Sequence, residues 1–293
     1  MSVILTIFTP TYNRAYCLHQ CYESLRRQTS KDFMWLIIDD GSTDGTYQLV
    51  QEWQAKENGF DIIYYYQTNG GMHTAHNQAY RMITTELNVC IDSDDYMTED
   101  GVESIISLWK DKKGPQYSGI VALDVSPKGN IIGKPLPEKE SIRLCDYYQK
   151  GGKGDKKLIF RTDVMRSYPE YPVFEGERFV PLGVKYLLAD QDYQLLILNK
   201  PVCVVDYLED GSTRNIYKQY ANNPRGFAYE RRIYMQYADG RYNKFRKCIH
   251  YVSESLMAKD KHFIKTSPKK LMTFLAVPFG FIFYRFTMYK AGK

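Results

Sequence analysis

The stretch "LNVCIDSDDYMTED", residues 87–100, runs an apolar segment directly into a cluster of carboxylates. Residues 87–91 read as a short buried strand. Asp92, Asp94 and Asp95 then crowd within four residues, and Glu99 and Asp100 follow. Like charges this close repel, and they cost free energy unless a cation or solvent screens them. A buried strand that ends this way points to a charged ligand beyond its carboxyl end.

The residues before it supply the rest of a sheet. "VILTIFTP" (3–10), "FMWLIIDD" (33–40) and "FDIIYYYQ" (60–67) are apolar runs of strand length. "LHQCYESLRRQT" (18–29), "GTYQLVQEWQAKE" (45–57) and "TAHNQAYRMIT" (74–84) space their apolar residues as helices do. The order β-α-β-α-β-α-β predicts an α/β fold, a mainly parallel sheet with helices on both faces. Ligands of such sheets bind beyond the carboxyl ends of the strands. Those ends here are "TPTYNR", "DDGSTDGT", "TNGGMHTAHN" and "DSDD", all polar and rich in turn residues. Four such endings on one edge predict a site there.

After Trp109 the pattern loosens. Loop or hairpin material and a Gly/Lys-rich segment (150–157) precede a further strand and helices. The chain of 293 residues carries a net charge of +5, unevenly spread. Residues 241–293 hold 12 Lys or Arg against two acids, so a neutral-to-acidic body carries a basic tail. The tail's apolar run, Leu271 to Tyr284, is 14 residues long and contains Pro278 and Gly280. That is shorter than a membrane-spanning helix needs, so a segment lying on an anionic membrane surface is expected. Aromatic residues make up 15% of the chain, with 26 Tyr; their amphipathic rings suit wet clefts, sugars and membrane interfaces. Six scattered Cys without a completed zinc pattern read as reduced thiols. With no signal peptide visible, a cytoplasmic protein, peripheral on the inner face of the cell membrane, is expected.

"FTPTYNR", "LIIDDGSTDGT", "NGGMHTAHNQA" and "CIDSDDYMTEDG", in that order and near those spacings, resemble the family 2 glycosyltransferases. The resemblance covers residues 1–110. It continues more loosely through "EGERFVP" and "YLEDGST", which are similar to bacterial capsule and surface-polysaccharide members. It implies the GT-A fold over residues 1–240, with a nucleotide-binding half (1–110) and an acceptor half (111–240), followed by the helical basic region 241–293. It also implies an inverting, metal-dependent enzyme that moves a sugar from a nucleotide-sugar donor, a UDP-sugar, to a lipid-linked glycan acceptor. In that reading Asp94 is the direct ligand of a divalent cation, Mn²⁺ or Mg²⁺, which prefers oxygen ligands shared between carboxylates and phosphates. Asp92 binds the ribose or a metal-bound water. Asp95 has no firm role and is available to cap the next segment. Asp40 contacts the nucleobase, Pro10, Thr11 and Tyr12 line the base pocket, and Arg14 lies near it.

Gly71 permits close backbone approach in "NGGMHTAHN". The chain departs from the family at Met72, where a basic residue is common, and at His76, where Arg is common. The general base that inversion requires falls on Glu177 in "FEGERFVP", with Asp192 in "LADQDYQ" and Glu175 as the other candidates. Arg214 and Lys218 are placed to close over the leaving diphosphate. Two other classes fit less well. A sugar-phosphate nucleotidyltransferase needs a Gly-rich basic loop after its first strand, and "TPTYNRAYC" has none. A non-catalytic membrane-associated partner has no use for the intact acidic cluster. Nucleic-acid binding by the tail is not expected.

Overall fold

The computed structural model describes residues 3–206, 216–237 and 240–293. Its first elements are β1 (Leu5–Thr11), α1 (Ala15–Arg26), β2 (Phe33–Asp39), α2 (Thr46–Gln54), β3 (Ile62–Tyr66), α3 (Met72–Met82) and β4 (Leu87–Cys90). β1 pairs in parallel with β2 and β4, and β2 pairs in parallel with β3. Every residue of β1 is buried, which is why its sequence is a continuous apolar run rather than an alternation. Tyr22 stacks on Trp53 at 4.3 Å between ring centroids, and Trp35 donates its indole N–H to Thr9 Oγ1 at 3.0 Å. These large rings fill the core beside the first two strands.

The chain continues with β5 (Tyr96–Met97), α4 (Gly101–Lys112), β6 (Tyr117–Val125), β7 (Ser141–Ile142), α5 (Leu144–Gln149), β8 (Lys156–Arg161), α6 (Thr162–Ser167), α7 (Gly183–Asp192) and β9 (Gln194–Val204). Among the described residues the strands form one nine-stranded sheet of order β3-β2-β1-β4-β8-β6-β9-β5, with β7 on β9. β8 is antiparallel to both β4 and β6, β9 runs parallel to β6, and β5 and β7 are antiparallel to β9. The sheet is therefore parallel in its first half and mixed in its second. β4, β6 and β9 end at one edge, because two antiparallel steps through β8 restore the direction.

Close contacts divide the chain into two units. The first comprises Met1–Gly70, Thr74–Glu170 and Lys185–Tyr207, and holds the sheet. The second comprises Gly71–His73, Tyr171–Val184 and Leu208–Lys293. Its helices are α8 (Ile216–Asn222), α9 (Pro224–Tyr237), α10 (Arg241–Met257), α11 (Phe263–Thr266) and α12 (Lys270–Ala291). Thus α8 and α9, on the near side of residue 240, group with the C-terminal helices.

Within the second unit a buried ion network joins α9 to α10. Arg231 pairs with Glu230 and donates to Glu254 Oε1 at 3.3 Å. Burial pushes the Glu254 carboxyl up to about 8, against the pull of Arg231. The α10–α12 seam is made of small residues. Thr273, Ala276, Gly280, Thr287 and Ala291 are the buried positions of α12. A Cβ on Gly280 would lie 2.5 Å from Val252 Cβ. Gly280→Val should therefore separate the two helices and cost about 1–3 kcal/mol through overpacking. Thermal unfolding of the full chain measures this, and an unchanged midpoint would mean that the seam is not closed.

α12 also corrects the expectation of a broken 14-residue run. It is one 22-residue helix that continues through Pro278. It is the helix among the described residues that is long and apolar enough to cross a membrane.

Candidate active site

The site is built where β1, β2 and β4 end. Their parallel register sets Thr11 opposite Asp39 and Phe8 opposite Cys90, so three polar endings share one edge. Asp39 and Asp40 take different parts. Asp39 accepts the Ser42 N–H at 2.7 Å and the Tyr64 hydroxyl at 2.6 Å, which closes the turn after β2. Asp40 is buried, and its Oδ1 accepts from Gln67 Nε2 at 2.7 Å and from the Gly70 N–H at 2.9 Å. It thereby ties the end of β2 to the "NGG" loop.

Asp44 organises the neighbouring turn. It accepts from the N–H groups of Ala15 and Thr46, each at 3.0 Å, and so holds the first turns of α1 and α2. Of the residues predicted to line the base pocket, Pro10 and Thr11 are buried in β1. Tyr12 is exposed, and half-buried Arg14 lies over the Tyr16 ring.

The acidic cluster forms a turn after β4, closed by the Asp95 N–H on the Asp92 carbonyl at 3.0 Å. Asp92 and Asp94 are half-buried and Asp95 is buried. Asp95 does not cap the next helix, because α4 starts at Gly101 with Asp100 in the capping position. Its Oδ2 lies 3.5 Å from the ammonium of Lys157, itself almost fully buried. Burial pushes the Asp95 carboxyl up, and Asp92 and Asp94 add to the shift while Lys157 opposes it. Burial works against the Lys157 charge as well, but Cys203, Asp124, Asp95 and Asp92 outweigh it and hold that group well above its ordinary value. Asp124, near the end of β6, is 1% exposed and is likewise pushed up by burial. The sequence reading missed both Lys157 and Asp124. The available signal was a lysine two residues from Ile159 in a buried strand, hence on the same face, where a charge requires a partner.

His76 is packed rather than open. It is 1% exposed, sits edge-on to Phe8 at 5.0 Å, and has Nε2 3.6 Å from Cys90 Sγ. Gly71 has φ +93°, and a Cβ there would fall 1.8 Å from the Arg178 carbonyl oxygen, so only glycine fits.

Asp192 is removed from this edge. It lies just before β9, whose first residue pairs with Tyr117 at the start of β6, and it accepts the Tyr168 hydroxyl at 2.6 Å. The full length of β9 separates it from Val204, which pairs with Tyr96 just past the acidic turn. As a candidate base Asp192 stands at the wrong edge of the sheet.

Glu177 belongs to the second unit. Its carboxylate is buried and accepts from the Arg225 N–H, Arg225 Nε and the Gly226 N–H, each at 2.9 Å. It thus serves the first turn of α9. Glu175 is exposed. Lys218 lies exposed on α8, and Arg214 lies outside the described residues.

Among the described residues no group of three or more His, Cys, Asp or Glu could hold a metal ion by itself. The residues present suit a cation shared with a ligand: Asp92 and Asp94 offer carboxylate oxygens, and phosphates would complete the sphere.

The family model described as Glycosyl transferase family 2 matches residues 6–167, more than half of the chain. The chain is 28% identical to a chondroitin synthase of Escherichia coli over 153 residues, 50% of this chain and 22% of that protein. It is 25% identical to a PGL/p-HBAD biosynthesis glycosyltransferase of Mycobacterium bovis over 207 residues, 70% of this chain and 73% of that one. The chain thus spans about a fifth of the chondroitin synthase, and 16% and 37% of two glycosyltransferases of Streptococcus pneumoniae, GlyA and GlyG.

Among solved structures, S. aureus TarS 1-349 in complex with UDP-GlcNAc superposes with a TM-score of 0.62 at 16% identity, covering 99% of this chain and 92% of that one. The mannosyltransferase PcManGT of Pyrobaculum calidifontis, in complex with GDP-Man and Mn²⁺, gives 0.57 at 15% identity, covering 96% and 74%. These likenesses extend the GT-A architecture along the sheet and its helices. With its strand endings, its acidic turn and the match over residues 6–167, the chain belongs to glycosyl transferase family 2.

Proposed function

We propose that this chain transfers a sugar, with inversion, from a UDP-sugar to a lipid-linked glycan acceptor in bacterial surface-polysaccharide synthesis. The observation that carries the donor reading is the half-buried Asp92 and Asp94 on a turn at the edge where Asp40 follows β2. The UDP-GlcNAc bound by TarS 1-349 supports a UDP-linked donor, and the Mn²⁺ with PcManGT supports a divalent cation. When bound, such a cation supplies charge to the leaving diphosphate. Asp94 and Asp92 would hold it, Asp40 and the walls at Thr11 and Tyr12 would orient the base, and Glu177 would accept the acceptor's hydroxyl proton. The test is thermal stabilisation of the full chain by a panel of nucleotide sugars with and without Mn²⁺. A UDP-sugar should raise the midpoint only with the metal. Equal response to every nucleotide, or none to any, would defeat the donor reading.

The acceptor reading is supported by α12. Its buried face is small and packs on α10, whereas Leu271, Leu275, Ile282, Phe286 and Tyr289 are exposed along the opposite face. Residues 261–293 carry seven Lys or Arg and no acid. Apolar side chains entering the lipid interface and basic ones beside anionic headgroups both favour binding, the latter by about 1 kcal/mol each. Because its small face is already engaged with α10, α12 is read as lying in the interface rather than crossing it. Leu275→Asp with Ile282→Asp should lower co-sedimentation of the full chain with anionic vesicles by about tenfold or more, since each charge must enter apolar lipid. Wild-type protein should leave the vesicles at high salt. Equal partitioning of variant and wild type would exclude this face, and resistance to salt and alkali would indicate a spanning helix.

A further inference from the structure

We propose that Lys157 is a positioning residue of the donor site, the protein's own counter-cation that holds the Asp92–Asp95 turn in place before any ligand arrives. The inference rests on the reading of Asp92 and Asp94 as the donor and cation ligands. Three observations carry it. First, the register brings Lys157 there: β8 pairs Ile159 with Val89 of β4 and Lys157 with Ala122 of β6, so Lys157 stands level with the chain just past β4. Second, its ammonium is 3.5 Å from Asp95 Oδ2, with the two side chains only 11% and 7% exposed. Third, Asp124 is 1% exposed on β6, two residues beyond Ala122, the partner of Lys157, and so on the same face of that strand.

A buried ammonium is stable only with such partners, and the carboxylates need it in turn. The pairing is separate from cation binding. Asp95 is buried and paired with Lys157, whereas Asp92 and Asp94 are half-buried. Without Lys157, Asp95 would be a buried carboxylate that has lost its ion-pair partner, and the turn would move toward water. The outer carboxylates would then lose the spacing that a shared cation requires.

The test is calorimetric titration of UDP with Mn²⁺ into four full-length proteins: wild type, Asp94→Ala, Lys157→Met and the double variant Lys157→Met/Asp95→Asn. Lys157→Met should weaken UDP–Mn²⁺ binding by about tenfold or more. The double variant, which removes both charges of the pair, should return to within about threefold of wild type. A merely structural lysine would lower the unfolding midpoint while the folded protein bound as before. Lys157→Met binding like wild type while Asp94→Ala loses binding overturns the inference alone. So does a double variant that fails to recover. If Lys157→Met does not fold, the double variant decides: folded and binding supports the proposal, and anything else overturns it. If wild type does not bind UDP–Mn²⁺, or Asp94→Ala binds like wild type, the donor reading fails and takes this inference with it.

Discussion

Asp94→Ala should reduce sugar transfer by about 10³-fold or more and remove metal-dependent binding of UDP, with the unfolding midpoint little changed. The magnitude follows from the leaving group. A departing diphosphate develops charge that a shared cation stabilises by several kcal/mol, and each 1.36 kcal/mol lost is a factor of about ten in rate. The small effect on folding follows from the position. Asp94 is half-buried on a turn, whereas its neighbour Asp95 makes the buried contact with Lys157. Turnover, UDP–Mn²⁺ calorimetry and thermal unfolding on one preparation separate these effects. Turnover within about tenfold of wild type would remove Asp94 from the metal site.

Glu177→Gln is expected to lower turnover by about 10²-fold, because the amide cannot take a proton in the transition state. The structure adds a second expectation. The carboxylate also serves Arg225 and Gly226 at the start of α9. The amide keeps one oxygen acceptor but loses the charge that pairs with Arg225. A capping loss of about 1 kcal/mol should therefore accompany the kinetic effect. The two are told apart by turnover per folded molecule. If the midpoint falls while that turnover holds, Glu177 is only the α9 cap. Glu175→Gln is then the next variant, since Asp192 lies at the opposite edge of the sheet.

The parallel half of the fold was legible because β1, β2 and β4 are buried on both faces and the helices between the strands repeat at 3.6 residues. "FMWLIIDD" allows little else, and its final carboxylates mark the edge where ligands bind. The mixed half was not. β5 and β7 are two residues each, too short to show a period, and their pairing with β9 is decided by long-range contacts. Local sequence also concealed the partner of the acidic cluster. Lys157 looked like the end of a Gly/Lys loop, and only strand register brings it beneath Asp95. Asp190 was hidden in the same way. In "LADQDYQ" it resembles Asp192, but its carboxylate accepts from the N–H groups of Leu144 and Cys145 and serves α5. α12 was read as broken because Pro278 interrupts helices locally; packing of its small face against α10 carries the helix through.

The outward arrangement of large apolar groups on α12 has a consequence for the protein away from lipid. In water such a face meets itself, so purified chain should self-associate, and sulfate should strengthen that association while loosening attachment to anionic vesicles. The two kinds of assembly would then carry opposite salt signatures. Sedimentation velocity across a sulfate series, with and without a mild detergent that covers the face, should read that inversion directly.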